Sequence, residues 1–456
     1  MTVETFPPSQ LAQHSPLARR NSLILVLGFA LIILVGTVLL RLPWAGSHRA
    51  LTWEEALFIS TSATTVTGLV VITPAVDLSL FGQIVVLVLM DIGGVGFIAF
   101  SVLLFTLIGR RVGYTSRMLI KQSLGVFEGT RIVRFTLIVL AATLLVQLLG
   151  AGALWLRWRS SLGDLQGAYL ALFHAVSAFC NAGFDLFSGT GTVLFGYADD
   201  AYTLSVMMAL IIIGGLGILV GVDLLTYYWD RRLTVHTRLT LVVTLVLYIL
   251  GLGIVMADFA FEGTAFAGLG GWERFWRSLF TVVSARTAGL TIVPLSELGD
   301  ATALTIMLSM FIGGAPASMA GGVTISTVAV LLVAVQSTVR GLPQAVAFGR
   351  TLPLETIAKA VAIMTVSSVL CFLIALVLLA THPSGGFLAI VFEVISAFSN
   401  TGYSLGMTSR LNSLGRLLIA FTMFWGRLGP LTLVVLLAQR ERPTYVRYPS
   451  EQVVLG

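Results

Sequence analysis

The chain has 456 residues, of which 57% are hydrophobic and 11% are charged, and its mean hydropathy is +0.97. About a quarter of the residues in a soluble globular domain are charged, so this composition excludes a soluble globular domain. The net charge of +6 comes without a basic domain, which argues against nucleic-acid binding, and two cysteines are too few for a disulfide framework or a metal cluster. We therefore expect a protein embedded in a lipid bilayer.

Eight apolar runs are long enough to cross about 30 Å of hydrocarbon, which takes roughly 20 helical residues. Four shorter apolar segments, one in each successive pair of runs, are too short to span, and we expect them to be re-entrant helices. The first of these carries a capping-box signature, Thr52 with Glu55 three residues later. The long runs lie near 22–40, 81–108, 135–156, 201–229, 239–260, 301–336, 355–381 and 412–438.

A short phrase recurs at the end of each short segment. The four copies, which we call the glycine phrases, read FISTSATTVTGL (58–69), FHAVSAFCNAGF (173–184), FTVVSARTAGL (280–290) and FEVISAFSNTGY (392–403). Their final glycines, the phrase glycines, are Gly68, Gly183, Gly289 and Gly402, at spacings of 115, 106 and 113 residues. The chain is therefore predicted to contain four diverged copies of one unit. A lone glycine after a helix is usually only a C-cap, but four at matching positions favour a shared role around one pore.

A ring of backbone carbonyls can replace the hydration shell of a cation without placing full charges in its path. Glycine permits the backbone angles that turn carbonyls inward, and four converging helix C-termini add partial negative charge. The TTVTG of the first phrase is close to a potassium-channel filter, so potassium is the only metal expected. The predicted filter residues are Thr64, Thr65, Val66, Thr67, Gly68, Cys180, Asn181, Ala182, Gly183, Arg286, Thr287, Ala288, Gly289, Ser399, Asn400, Thr401 and Gly402.

A second repeated element has its first glycine 24 to 31 residues after each phrase glycine, in IGGVGF, IGGLGI, IGGAPAS and WGRLGP. The third copy extends to GGAPASMAGG at 313–322, and Pro316 prevents a regular helix there. The alternative is a kinked span packed closely against a neighbour. In the fourth copy Arg427 places a charge near mid-membrane, and we expect carbonyls of the 313–322 loop to be its partners. The predicted gate residues are Gly313, Gly314, Ala315, Pro316, Ala317, Ser318, Gly321, Gly322 and Arg427.

The distribution of Arg and Lys predicts the orientation. With the N-terminus inside, 17 of the 27 basic residues fall in inner segments and 8 in outer ones, so both termini are expected in the cytoplasm. Acids concentrate in the outer segments and would attract cations, although any one of them is equally well a solvated loop charge. They include Glu54, Glu55, Asp77, Asp185, Asp199, Asp200, Glu297 and Asp300.

These motifs resemble the Ktr and Trk superfamily of potassium uptake proteins, and most of all its Ktr-type membrane subunit. The resemblance covers roughly 22–440 and rests on the glycine phrases, on SARTAG at 284–289 and on FWGRLGP at 424–430. It implies an all-α polytopic membrane protein with eight transmembrane and four re-entrant pore helices around a pseudo-fourfold pore. The implied units are a cytoplasmic tail 1–21, repeat 1 at 22–134, repeat 2 at 135–238, repeat 3 at 239–354 with a gating loop at 313–322, repeat 4 at 355–438 and a cytoplasmic tail 439–456.

The same resemblance implies potassium uptake across the cell membrane, gated by the 313–322 loop beside Arg427. It also implies sodium as an activator, a homodimer, and control by a cytoplasmic ring of nucleotide-binding subunits. No cofactor is expected on this chain.

The alternative is a proton- or sodium-coupled symporter of the Trk type, which would need buried acids near the pathway. Of the acids, only Asp91 and Asp223 qualify, and either could instead pair with inner arginines. An enzyme is disfavoured, because His174 in its short segment is expected to lack a carboxylate partner.

Overall fold

The computed structural model describes residues 16–96, 132–187, 196–258 and 268–429, which are mostly helical. A two-residue hairpin, β1 (Val346–Ala347) and β2 (Arg350–Thr351), lies between α12 and α13 as numbered below. The helices are α1 (Pro16–Arg41), α2 (Trp53–Thr64), α3 (Pro74–Asp77), α4 (Leu80–Val95), α5 (Ile132–Leu162), α6 (Asp164–Phe179), α7 (Ala201–Leu216), α8 (Ile218–Asp230), α9 (Val235–Ala257), α10 (Gly271–Ser284), α11 (Asp300–Phe311), α12 (Ile325–Val339), α13 (Leu354–Thr381), α14 (Phe387–Ser399) and α15 (Ser413–Leu428).

Within the described ranges, α5, α9 and α13 are each long and apolar enough to cross a bilayer. A fourth crossing is made if α7 and α8 are taken together, but these two helices meet at 98°. The span expected at 201–229 is therefore broken into two helices at Gly217. The span expected at 301–336 is divided into α11 and α12 by an irregular segment, as Pro316 predicts. The parts of the spans expected at 81–108 and 412–438 that lie beyond Gly96 and Gly429 fall outside the described residues, as does the 439–456 tail.

The start of α2 confirms the capping box. The Thr52 hydroxyl accepts a hydrogen bond from the Glu55 backbone N–H at 3.2 Å, and the Glu55 carboxylate accepts one from the Thr52 N–H at 2.8 Å. The same Glu55 carboxylate forms an ion pair with Arg49 at 2.6 Å. Hydrogen bonding to that guanidinium holds the pKa of Glu55 at about 2, well below its ordinary value.

The four short helices α2, α6, α10 and α14, here called the phrase helices, each end inside a glycine phrase. The helices that follow them, α4, α7, α11 and α15, are here called the second helices. Each second helix packs against the phrase helix of the next copy: α4 on α6, α7 on α10, α11 on α14, and α15 back on α2. These contacts form a closed cycle, and so they bring the four glycine phrases together at the centre.

The residues that hold this arrangement follow the sequence pattern. The phenylalanine that opens each phrase is at most 1% exposed in all four copies, so it anchors its phrase helix in the core: Phe58, Phe173, Phe280 and Phe392. In contrast, the outer faces of α5, α9 and α13 expose large apolar side chains such as Leu149, Leu250 and Phe372. An apolar exterior around a polar centre suits a lipid environment.

Candidate functional site: a ring of glycines above an irregular loop

A similar turn closes all four glycine phrases and is one residue shorter in the third copy. The residue just before each phrase glycine donates its N–H to the carbonyl of the phrase serine, at 2.8 Å for Ser62, 2.7 Å for Ser177 and 2.9 Å for both Ser284 and Ser396. The residue before that one is left-handed in every copy, with φ of 58° at Val66, 57° at Asn181, 75° at Thr287 and 54° at Asn400. For the β-branched Val66 and Thr287 this conformation is strained, and strain of this kind concentrates at functional sites.

The phrase glycines themselves have positive φ, at 87°, 69°, 71° and 90° in chain order. A Cβ on Gly68 would lie 2.5 Å from the carbonyl oxygen that precedes Gly183. A Cβ on Gly183 would lie 2.9 Å from a carbonyl oxygen of the third phrase, and one on Gly289 would lie 1.8 Å from a carbonyl oxygen of the fourth. A Cβ on Gly402 would lie 2.1 Å from a carbonyl oxygen of the first phrase, which closes the cycle. The four glycines therefore form a closed ring in which each one leaves room only for a neighbouring carbonyl. The carbonyls in question belong to Ala182, Ala288, Thr401 and Thr67.

Side chains tie adjacent phrases together behind the ring. The Asn400 amide donates to the Thr67 hydroxyl at 2.9 Å, which joins the fourth phrase to the first. Asn181 lies 3.3 Å from the Thr287 hydroxyl, which joins the second phrase to the third. The Tyr403 hydroxyl reaches the Leu290 carbonyl at 3.2 Å, which joins the fourth phrase to the third. The ring is thus held by bonds between copies as well as by the turn within each copy.

Not every predicted filter residue turns its side chain toward the ring. The Cys180 thiol lies 3.6 Å from the Gln147 amide, away from the glycines. The Arg286 guanidinium lies 5.2 Å from the centre of the Tyr248 ring and donates to the Gly313 carbonyl at 2.8 Å. Arg286 therefore connects the third phrase to the 313–322 loop.

A cavity of about 270 Å³ lies against all four phrase glycines and the residues that follow them. No residue of the 313–322 loop lines it. The loop instead contacts residues that precede a phrase glycine, since a Cβ added to Gly321 would meet Asn400 and one added to Gly322 would meet Ser399. The loop therefore lies on the side of the ring away from the cavity. Its polar lining includes Asp185, Ser404 and Thr408. Four of the acids predicted to attract cations form ion pairs with arginines, so a neighbouring positive charge offsets each of these carboxylates. These pairs are Glu54–Arg416, Glu55–Arg49, Asp199–Arg277 and Asp200–Arg157.

The glycine pairs of the second helices serve close packing. A Cβ on Gly93, Gly214 or Gly426 would lie 1.8 to 1.9 Å from a carbonyl oxygen near the C-terminus of a phrase helix. Only glycine lets the two helices meet there, which is the packing role considered for this motif. A further glycine in the same motif then ends the second helix with positive φ: 93° at Gly96, 82° at Gly217 and 79° at the glycine of the fourth copy, Gly429.

In the third copy Pro316 takes the place of that helix-ending glycine, and the chain leaves the helix after Phe311. The resulting loop satisfies carbonyls that the break at Gly217 has freed. The N–H groups of Ala315 and Met319 donate to the Gly215 and Gly214 carbonyls at 3.1 and 3.2 Å. Buried backbone carbonyls in a membrane protein need hydrogen-bond donors, and the loop supplies two of them.

Arg427 binds the loop from the other side. Its guanidinium donates to the Met319 carbonyl, as predicted, and also to the Gly93 and Gly94 carbonyls of α4, the latter at 3.0 Å. The contact with α4 was missed, because the sequence does not show that the fourth copy closes onto the first. Among the described residues neither Arg286 nor Arg427 forms an ion pair with a carboxylate.

The expectations for buried acids need correction. The Asp91 carboxylate accepts a hydrogen bond from the Gln147 amide at 2.9 Å. The Asp223 carboxylate accepts hydrogen bonds from the hydroxyls of Thr234 and Thr237, at the start of α9, at 2.6 Å each. In the described part of the chain, neither acid pairs with an inner arginine. His174 does have a carboxylate partner, because its Nε2 lies 2.8 Å from Asp185 Oδ1. The pair is buried, and the Phe187 ring stacks on His174 at 4.5 Å.

Glu393 was not identified from the sequence, although it is 0% exposed in phrase helix α14. Its carboxylate accepts hydrogen bonds from the hydroxyls of Ser404, at 2.7 Å, and Thr408. A glutamate inside the apolar stretch FLAIVFEVISAFS was the available signal, since ionisable residues at membrane depth are rarely without a role.

Comparisons with known proteins agree with this geometry. Residues 6–448 match the family model described as TrkH, cation transport protein. The chain is 35% identical to the Ktr system potassium uptake protein B of Bacillus subtilis, covering 95% of this chain and 96% of that one. It is 33% identical to the potassium/sodium uptake protein NtpJ of Enterococcus hirae, with coverage of 95% and 96%. The fold is similar to the crystal structure of the potassium transporter TrkH from Vibrio parahaemolyticus, with a TM-score of 0.72, 20% identity and coverage of 94% and 86%.

Proposed function

Because the chain belongs to the TrkH family of cation transport proteins, among the Ktr and Trk potassium uptake transporters, we propose that it carries potassium through the ring of phrase glycines. The observation that carries this proposal is the closed cycle of four, in which each glycine abuts the carbonyl that precedes the next. Carbonyls in a ring replace the water around a cation, and the four phrase helices direct their partial negative ends to the same point.

The proposed architecture is four membrane–pore loop–membrane repeats, at 22–134, 135–238, 239–354 and 355–438, around a pseudo-fourfold axis. The cyclic packing of second helices on phrase helices supports this division. The proposed location is the cell membrane, with both termini in the cytoplasm, as the distribution of basic residues favours. Transport, not enzymatic catalysis, is the activity of the relatives.

The proposed gate is the 313–322 loop. It lies on the opposite side of the ring from the cavity, and arginines bind it near both ends, Arg286 at Gly313 and Arg427 at Met319. In the closed state the loop blocks the path, and the two guanidinium groups hold it and repel cations. Opening requires the loop to swing aside, which its glycines permit with little strain.

Regulation by sodium and by a cytoplasmic subunit is part of the same proposal. One relative is named for potassium and sodium uptake, and another for a Ktr system. We expect this chain to form a homodimer bound to a ring of nucleotide-binding subunits on its inner face. Purification from the native host should recover such a subunit, and a chain that transports at full, unregulated rate alone would contradict this expectation.

The decisive experiment measures labelled potassium flux into proteoliposomes, with and without a voltage and a sodium gradient. A channel-like pathway moves potassium down its electrochemical gradient and stops there. The second candidate, a proton- or sodium-coupled symporter, gains support from two buried carboxylates beside the cavity, Glu393 and Asp185. Accumulation of potassium beyond electrochemical equilibrium, driven by a proton or sodium gradient, would favour the symporter.

A further inference from the structure

One position of the glycine phrases differs in chemistry from copy to copy. The residue after the opening phenylalanine is, in chain order, Ile59, His174, Thr281 and Glu393. In the second copy this side chain meets the residue two positions after the phrase glycine, since His174 Nε2 lies 2.8 Å from Asp185 Oδ1. In the fourth copy the equivalent pair is Glu393 and Ser404, at 2.7 Å. The second and fourth phrases are opposite in the cycle, so two facing walls carry a polar pair at the same place.

The second-copy pair is complete in itself. His174 Nδ1 lies 2.7 Å from the Leu170 carbonyl, which can only accept, so Nδ1 carries a hydrogen. The partner of Asp185 is thus a side chain that can itself carry a positive charge, so this pair needs no additional ion.

The fourth-copy pair has no positively charged partner among the described residues. Three oxygen-to-oxygen contacts join Glu393, Ser404 and Thr408: each hydroxyl meets one carboxylate oxygen, and the two hydroxyls lie 3.1 Å apart. Only two hydroxyl hydrogens are present for these three contacts. With an ionised carboxylate, both hydrogens point to Glu393 and the two hydroxyl oxygens repel each other. A fully buried carboxylate without a positive partner is also strongly unfavourable.

The hydroxyls of this cluster border open space. Ser404 and Thr408 both line the cavity over the phrase glycines, while Glu393 lies behind them. When their hydrogens point to Glu393, the Ser404 oxygen also accepts from the Gly406 N–H at 3.1 Å, and one lone pair of Ser404 and those of Thr408 remain for a ligand on the cavity side. Carboxylate and hydroxyl oxygens are hard ligands that suit alkali cations, and a single negative charge matches a monovalent ion.

We propose that Glu393, Ser404 and Thr408 form a binding site for a monovalent alkali cation, Na⁺ or K⁺, in the wall of this cavity. The inference rests on the proposed function, because it makes the cavity the entrance to the filter. A cation at this site supplies the missing charge of the cluster and is held beside the ring before it enters.

The test is the thermal unfolding of purified protein during titration with NaCl or KCl against choline chloride at constant ionic strength. Glu393→Gln keeps the side-chain shape, removes the charge and supplies its own hydrogens. We expect the cation concentration for half-maximal stabilisation to rise at least tenfold in this variant, with at least one of the two salts. Thr408→Val should act in the same direction and carries the test if Glu393→Gln does not fold. Glu54→Gln, which alters a carboxylate that does not line the cavity, is the matched control and should titrate like the wild type.

Repeating the titration in protein that also carries Gly289→Ala separates this site from the filter. The shift caused by Glu393→Gln should persist when the glycine ring is disrupted. A response to only one salt identifies the cation. If Glu393→Gln and Thr408→Val titrate like the wild type with both salts, the carboxyl group is protonated and the site does not exist. If instead alanine at each of the four phrase glycines leaves potassium selectivity in uptake unchanged while the titration difference remains, the filter proposal fails and the site stands.

Discussion

A β-carbon added to a phrase glycine should reduce potassium selectivity by an amount that depends on the space at that glycine. The added Cβ would lie 1.8 Å from the neighbouring carbonyl oxygen at Gly289, 2.1 Å at Gly402, 2.5 Å at Gly68 and 2.9 Å at Gly183. Ordinary contact begins near 3.4 Å. The carbonyl must therefore move by about 1.6 Å at Gly289 but by only about 0.5 Å at Gly183, the difference between each distance and 3.4 Å.

Displacement of one carbonyl changes the radius at which the ring coordinates a cation, so we expect the loss of selectivity to follow the displacement. For Gly289→Ala the ratio of potassium to sodium uptake should fall at least tenfold, which corresponds to about 1.4 kcal/mol of discrimination. For Gly183→Ala the ratio should fall by less than about threefold, or roughly 0.6 kcal/mol. Left-handed strain of roughly 1–2 kcal/mol is common to both variants and does not distinguish them.

The assay compares potassium and sodium uptake in cells that lack other potassium systems. Gly386→Ala is the matched control, because Gly386 immediately precedes phrase helix α14 with φ of 73° and has no atom within 4 Å of an added Cβ. It carries the backbone strain without the collision. Unchanged ratios in all four phrase-glycine variants, or an equal loss in Gly386→Ala, would refute the filter.

Three further predictions concern the 313–322 loop and the ion pair of Glu55. Arg427→Ala should raise potassium flux per folded protein severalfold and weaken the dependence of that flux on a regulatory partner. Arg416→Ala, on the same helix, is the control and should do neither. Lower flux from monodisperse Arg427→Ala protein would contradict the proposal that the loop is a gate. Arg286→Ala should raise flux by a smaller factor, because Arg286 makes one backbone hydrogen bond, to the loop, whereas Arg427 makes three and joins the loop to α4. A larger effect than that of Arg427→Ala would reverse the assignment. The lowered pKa of Glu55 means that its ion pair stabilises the fold above about pH 4.5 and that this stabilisation is lost as pH falls towards about 2. Unfolding temperatures should therefore show an advantage of the wild type over Glu55→Gln that disappears across this window, and a constant difference would argue against it.

The glycine phrases show what could be predicted from the sequence. Four phrases at nearly regular spacing predicted that their glycines share one role, and the structure brings those glycines into one ring. Pro316 predicted the irregular loop, and the charge of Arg427 predicted that it would seek that loop's carbonyls. Each of these predictions depends on a local rule of backbone or charge, so it needs no knowledge of which helices are neighbours.

Other features depend on contacts between copies and could not be predicted in this way. Gly217 sits within an apolar run, where a glycine usually only weakens a helix. The helices on either side of it meet at 98°, and the 313–322 loop binds the carbonyls freed at that break. The partner of His174 is eleven residues away on the far side of the phrase turn. Left-handed Val66 and Thr287 also contradict the preferences of β-branched residues, and only the surrounding ring imposes them.

The covalent continuity of the ring has a consequence for how it can be altered. In a pore built from four identical subunits, every substitution appears four times and preserves the symmetry. Here a single substitution changes one wall, and the walls already differ, with Ile59 in the first, a His174–Asp185 pair in the second and Glu393 in the fourth. If the ring is the proposed filter, an ion in it would experience a sideways electric field as well as an axial one. Each wall can be adjusted separately, so affinity on one side of the pathway can change while the other three sides stay intact.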